Sequence, residues 1–327
     1  MSRYATAANS CRAGVLGVDF TSAPSLKKPI VVARAALDVA VPTSAAKRGR
    51  IETREAAVGL SLLAFECFSD WKSFESFLRS PWADGACSRP PVLIGGFDFP
   101  FGLPKELLRA WQWDHLNHRE IALRFAKQDR HAWVSALKRF CEPRAPGHKF
   151  AHRACDGPAG SSPSMKWVNP PVVFMYREGF RRLIDADWHL PGFEPALEGS
   201  AWSMTGGVQP RPIALEAYPG HLARALIGQI SYKSDSVPRD PRRLQQRARM
   251  LERLAASLPF LGPLGAGLRE QMIEDGRGDA IDAWLCAIQA AWAAIKGPPD
   301  WGTPEDADPQ EGWICSLDLK KLLEPTA

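Results

Sequence analysis

The chain has 327 residues, enough for one elaborated α/β domain or two smaller ones, and enough to bury a sizeable core. Its 45% hydrophobic and 24% charged residues exclude global disorder, a fibrous repeat and a coiled coil, while 26 glycines and 28 prolines predict long ordered loops. A formal net charge of +5 tolerates a phosphate-bearing partner without requiring one. The seven cysteines (Cys11, Cys67, Cys87, Cys141, Cys155, Cys286 and Cys315) are odd in number and lack a C-x-x-C pair, so neither a disulfide framework nor a zinc site is signalled. The first twenty residues hold no apolar core of signal-peptide length, and no uncharged stretch of 18 residues occurs. A soluble, cytoplasmic protein without a membrane partner is expected.

In chain order, Gly14 to Phe20 (GVLGVDF) is an apolar run that ends on an acid and meets a Thr-Ser-Ala-Pro turn, which predicts a buried strand. Ile30 to Leu37 and Gly59 to Phe68 predict two more strands, joined by a polar, basic connection over 38–57. Ser69 or Asp70 can cap a helix whose Trp71, Phe74, Phe77 and Leu78 recur at helical spacing until Pro81. Val92 to Asp98 is a fourth strand, stopped by the FPFGLP turn. Residues 105–144 read as helices, and 143–171 as a loop of functional length, rich in Pro, Gly, Ser and basic residues. Arg211 to Ala217 is a fifth strand, followed by a short helix over 221–227 and an amphipathic helix from Asp240-Pro241. Asp279 to Ile295 is a helix apolar on nearly every face, hence buried, and Gly297 with two prolines ends it.

Four acids stand where core-facing elements end: Asp19, Asp98, Glu216 and Asp279. A carboxylate beside an apolar run is costly unless it is paired, hydrogen-bonded or bound to a metal. Converging from separate strands, these four would form the oxygen-rich site that Mg2+ or Mn2+ prefers, and metals so held can drive phosphodiester cleavage. Each acid has a plainer reading beside this. Asp19 and Asp98 fit turn-forming acids, Asp279 fits a helix-start acid with Asp282 three residues on, and Glu216 fits a partner for a base such as Arg211.

Other signals are softer. The seven histidines lack an H-E-x-x-H arrangement, and there is no G-x-S-x-G elbow or thiol nucleophile pattern. Lys149, Arg153, Lys166, Arg177, Arg181, Arg182 and Lys233 are available to meet phosphates, and Trp167 to stack on a base, although solvated or core positions are the commoner fate of such residues.

Six motifs in order, GVDFTSAPSLKKPI, GGFDFPFGLP, SPSMKWVNPP, EAYPGHLARALIG, SYKSD and GDAIDAWLCAIQAAW, resemble the bacterial domain-of-unknown-function family 429, regarded as predicted nucleases of ribonuclease H-like fold. The resemblance covers about 14–296. It implies a mixed α/β sheet of order 3-2-1-4-5, three antiparallel strands followed by parallel ones, with helices on both faces. It also implies a large insertion over 103–210 covering the site; outside the domain, a small-residue, flexible tail over 1–13 and a C-terminal extension over 297–327 are expected. By the same resemblance Asp19, Asp98, Glu216 and Asp279 take the acidic catalytic and metal-binding positions of a nuclease acting on DNA or RNA with Mg2+ or Mn2+. Two other classes fit the architecture: an actin-like nucleotide phosphotransferase, with Asp19, Thr21 and Ser22 on the first hairpin, and a non-catalytic nucleic-acid or protein-binding module.

Overall fold

The computed structural model describes residues 10–40, 58–82, 92–195 and 211–323. The first nine residues of the expected tail, 41–57 of the expected connection and 196–210 of the expected insertion lie outside them. Five strands, β1 (Ser10–Asp19), β2 (Ile30–Ala40), β3 (Val58–Phe68), β4 (Val92–Phe97) and β5 (Ile213–Glu216), form one α/β sheet of order β3-β2-β1-β4-β5. β1 runs antiparallel to β2 and β2 to β3, whereas β4 and β5 continue parallel from β1.

The strands alternate side chains between two covered faces, as period 2 requires. On one face Ala13, Val15, Ile94, Ile213 and Leu215 pack under helices α7 (Pro219–Ile227), α8 (Pro241–Ser257), α9 (Ala266–Glu274) and α10 (Asp279–Lys296). On the other, Leu16, Val18, Phe97 and Ala214 meet α1 (Trp71–Arg79) and the helices that follow β4. Those are α2 (Lys105–Ala110), α3 (His118–Lys127), α4 (Arg130–Cys141) and α6 (Val172–Asp185), while the single turn α5 (Asp156–Ala159) places Ala159 in a smaller cluster with Cys155 and Ile314. The segment between β4 and β5 is thus built into the second core. Its aromatic centre is Phe125 stacked on Trp133, with ring centroids 4.1 Å apart.

Several elements follow directly from local chemistry. Asp70 caps α1 by accepting from the Ser73 amide at 2.9 Å, Asn117 and Glu120 form a capping box on α3, and Asp240 with Pro241 opens α8. Of the helices longer than two turns, α6 and α9 fall where the sequence reading places no helix. α6 follows the unbroken loop signature of 143–171, and α9 is only weakly amphipathic, so its periodicity is faint.

The strands also run past their predicted ends. β1 starts at Ser10, inside the expected tail, because β2 extends to Ala40 and pairs with it residue for residue. The segment after α10 is part of the fold: Trp301, Cys315, Leu319 and Leu323 join the first core, and a short bridge sets Ile314 beside Glu216. Among the described residues no helix is long and apolar enough to cross a membrane.

Candidate functional site: an acidic cleft at the strand ends

The position of α10 decides what meets at the carboxyl ends of β1 and β4. Both strands present a glycine to it. A Cβ on Gly17 would lie 2.0 Å from the Ala283 carbonyl oxygen, and one on Gly96 would lie 2.4 Å from that of Cys286. With nothing between, the helix backbone lies directly on the sheet, and its first turn reaches the ends of the two strands. Asp19 shares its face with Gly17 and Asp98 with Gly96, two residues on along each strand. Both therefore face the start of α10.

The ladder continues one step past the named strands, the Asp98 amide donating to the Val18 carbonyl at 2.9 Å, so Asp19 and Asp98 stand side by side. Neither carboxylate accepts a hydrogen bond from any of the described residues, which removes the turn-forming reading of each. Asp279 begins α10 but does not cap it. That role falls to Asp275, which accepts from the Ala280 amide at 2.8 Å. All three acids are half-buried and line a cleft of about 680 Å3, together with Thr21, Ser22, Tyr232 and Lys233.

Glu216 goes elsewhere, for a reason of register. It aligns with Phe97 and Val18, one residue short of the Asp98 row, and a one-residue step reverses the face. Its carboxylate is buried and held by Arg153, with Nη2 at 2.6 Å and Nη1 at 2.7 Å, and it also accepts from the Phe101 amide at 2.9 Å. Arg153 in turn holds the buried Asp156 at 2.9 Å and donates to the Glu311 carbonyl at 3.0 Å. Arg211, the base suggested for Glu216 by the sequence, pairs with Glu194 and Asp187 instead.

In the space under Asp19 and Asp98 the structure sets Asp282, fully buried on α10. It accepts from the Tyr232 hydroxyl at 2.6 Å and from the Lys233 ammonium. In the sequence Asp282 stands only as a neighbour of Asp279, yet it carries a signal: a helix apolar on every face has no solvent side on which to carry a second acid. Lys233, in the sequence, is one of several basic residues near the loops, with nothing local to single it out. Of those others, Lys166 donates to the Asn169 carbonyl at 2.7 Å, and Trp167 packs edge-on against Phe150.

The electrostatics follow from this crowding. Burial pushes Asp19 well above the usual carboxylate range, reinforced by Asp282, Asp279 and Asp98 and opposed by Lys233. Burial, with Asp282 and Glu216, pushes Asp98 up to about 7, and burial, with Asp275 and Asp282, pushes Asp279 up to about 6. Burial of the Lys233 head works against its charge, but Asp282, Tyr232 and Asp19 outweigh it and hold the ammonium well above its ordinary range.

The donors are hard oxygens in excess negative charge, which suits Mg2+ or Mn2+ chemically. The arrangement is sparser than four converging ligands. Among the described residues no three His, Cys, Asp or Glu side chains stand together as a set able to hold a metal ion. Asp19 and Asp98 remain as the side-by-side pair, and Mg2+ is commonly held by one or two carboxylates with waters and substrate phosphate completing its shell. No protein-family model, no curated protein and no solved structure matches this chain.

Proposed function

We propose that the cleft is the catalytic centre of a metal-dependent phosphodiester hydrolase, a nuclease of ribonuclease H-like fold related to the family that the six motifs resemble. The observation that carries this reading is the pair of unpartnered carboxylates, Asp19 and Asp98, at the ends of adjacent parallel strands, kept hard to ionise by burial first and then by the acids around them. Such a pair is relieved by a divalent cation more than by any other common ligand. The sheet order 3-2-1-4-5 supports the fold assignment, and the position outside the carboxyl ends of the strands is where open α/β sheets usually bind ligands.

Asp19 and Asp98 would hold Mg2+ or Mn2+, with Asp279 at the rim. The ion, when bound, supplies Lewis acidity to the phosphoryl oxygens and lowers the pKa of a water. The chain itself does the rest. Asp279 lines the cleft with its carboxyl pushed up to about 6, chiefly by burial, where it can accept a proton from an approaching water near neutral pH. Lys233 and Lys28 line the same cleft and offer positive charge to phosphate oxygens. Ser161, Ser162 and Met175, from the segment between β4 and β5, line the same cleft.

A panel of single-stranded, duplex, hybrid and branched DNA and RNA, incubated with Mg2+ or Mn2+ and with EDTA as control, tests this. Cleavage should require the metal and fall by at least about 10²-fold in Asp19→Asn and Asp98→Asn, while both variants stay folded by circular dichroism. Absence of cleavage across the panel, or cleavage that survives EDTA and Asp19→Asn, overturns the assignment and turns attention to nucleotide hydrolysis at the Asp19, Thr21 and Ser22 hairpin.

A further inference from the structure

Two loops beside the cleft carry apolar side chains that the fold does not bury. Among the described residues six large apolar side chains stand exposed, and three of them sit here: Leu26 at 91%, Val237 at 55% and Ile230 at 50%. Apolar residues scattered singly over a surface need no explanation, but a group gathered beside one cleft does. Leu26 is at the tip of the hairpin that leads from Asp19 at the end of β1 into β2, and Ile230 and Val237 are on the connection between α7 and α8. The two loops meet where the Lys28 ammonium comes within 3.5 Å of the Asp235 carboxylate, and Lys28, Ile230 and Asp235 line the cleft itself.

Neither loop is slack. In the hairpin the Ser25 amide donates to the Lys28 carbonyl at 3.0 Å and the Lys28 amide to the Ser25 carbonyl at 3.1 Å, which leaves Leu26 and Lys27 as the tip, between Pro24 and Pro29. In the other loop the Ser234 amide donates to the Gly276 carbonyl at 3.0 Å, the Val237 amide to the Ser234 hydroxyl at 3.0 Å, and the Arg243 guanidinium to the Ser231 hydroxyl at 3.2 Å. Loops so fastened are ordered before any partner arrives, which spares the entropy of fixing them on binding.

The charge around the tips points to the partner. The acids of these loops are engaged, Asp235 with Lys28 and Asp240 with Arg243 at 3.3 Å. Lys27, Arg239 and Arg242 are exposed, and among the described residues no carboxylate pairs with any of them. A rim that is apolar at its points and cationic around them fits a polymer with apolar bases inside and phosphates outside. Aromatic side chains stack on the bases of single strands, whereas aliphatic ones wedge between the stacked pairs of duplex DNA. The exposed tips here are leucine, isoleucine and valine. Duplex RNA is held through its 2′-hydroxyls and phosphates across a shallow groove, contacts that an aliphatic tip cannot make.

We propose that Leu26 is a wedge that enters the base stack of duplex DNA and seats it beside the cleft, with Lys27, Arg239 and Arg242 on the flanking phosphates. The inference deepens the hydrolase reading, and it rests on that reading for the kind of polymer the cleft acts on. Because the hairpin starts at Asp19, a base step opened by its tip lies next to the proposed catalytic centre.

Fluorescence anisotropy in EDTA reads binding with the proposed hydrolase idle, and 2-aminopurine placed in the duplex brightens when its step is unstacked. Wild-type protein should brighten the probe and bind duplex DNA more tightly than single-stranded DNA, duplex RNA or vesicles of phosphatidylserine and phosphatidylcholine. Leu26→Ser, at a solvent-exposed position, should stay folded, abolish the brightening and weaken duplex binding about tenfold. Lys27→Gln should keep the brightening and lower the slope of log affinity against log salt by about one. Leu123→Ser on α3, 42% exposed and on neither loop, should change nothing.

No binding to duplex DNA, binding without brightening, brightening that persists in Leu26→Ser, or preference for single strands, duplex RNA or vesicles would each overturn the inference. Metal-dependent cleavage alongside any of these results removes the wedge and keeps the hydrolase. Brightening lost in Leu26→Ser, with no cleavage of any substrate in the panel, keeps the wedge and removes the hydrolase.

Discussion

At the scale of single residues, the Asp98 carboxyl gives the sharpest handle. It takes up a proton at about pH 7 in the folded protein against an ordinary value of 3.8. Between those values the folded state holds a proton that the unfolded chain has lost. Its contribution to stability is therefore full below about pH 4 and is lost as pH rises through 7. Asp98→Asn keeps the shape without the charge. The melting temperature of the variant should match that of the wild type near pH 4 and exceed it by a few degrees at pH 8. Buried histidines such as His118, His189 and His221, whose pKa values are lowered chiefly by burial, shift stability the opposite way over part of this range. The difference between variant and wild type cancels them. A variant less stable than the wild type at pH 8, or a gap that does not change with pH, would show that Asp98 is not strained by its neighbours.

Among the elements, α10 matters most, because it carries Asp279 and Asp282 to the strand ends and does so only by lying on bare backbone. Gly17→Ala would thrust a methyl group to 2.0 Å from the Ala283 carbonyl and 2.2 Å from the Ala287 amide nitrogen, so the helix must move. We expect a loss of about 3 kcal/mol or more in urea unfolding. Gly59→Ala on β3, where a Cβ meets nothing within 4 Å, is the matched control and should change stability by no more than about 0.5 kcal/mol. Equal effects of the two substitutions would mean that α10 does not rest on the sheet as described.

At the scale of the whole molecule, one buried arginine joins three distant parts of the chain. Arg153, from the loop after α4, grips Glu216 at the end of β5 and reaches the Glu311 carbonyl in the C-terminal segment. Glu311 returns the contact by accepting from the Ala154 amide at 2.9 Å and the Lys105 amide at 2.7 Å. Removing the guanidinium strands two buried carboxylates, Glu216 and Asp156. Arg153→Ala should cost about 3–5 kcal/mol, and Arg153→Lys should recover little of it, since a point charge cannot serve both acids with the same fork of donors. Urea melts of both variants check this. A cost under about 1 kcal/mol for Arg153→Ala would mean that the network does not hold the molecule together.

The local pattern determined a good deal. Apolar runs closed by turns marked all five strands, Asp70 and Asp240 marked two helix starts, and the seamless apolarity of 279–295 marked α10, because each of these is a property of neighbouring residues. The acids at the ends of those runs were also legible, since an acid beside a buried run stands out in any register. Which acids meet was not. Asp98 and Glu216 look alike in the sequence, each closing an apolar strand, but the ladder offsets them by one residue and period 2 turns them to opposite faces. Asp282 and Lys233 are 49 residues apart, and their pairing exists only because α10 settles on Gly17 and Gly96. Register and helix docking are long-range quantities, set by how whole faces pack, and no stretch of sequence contains them.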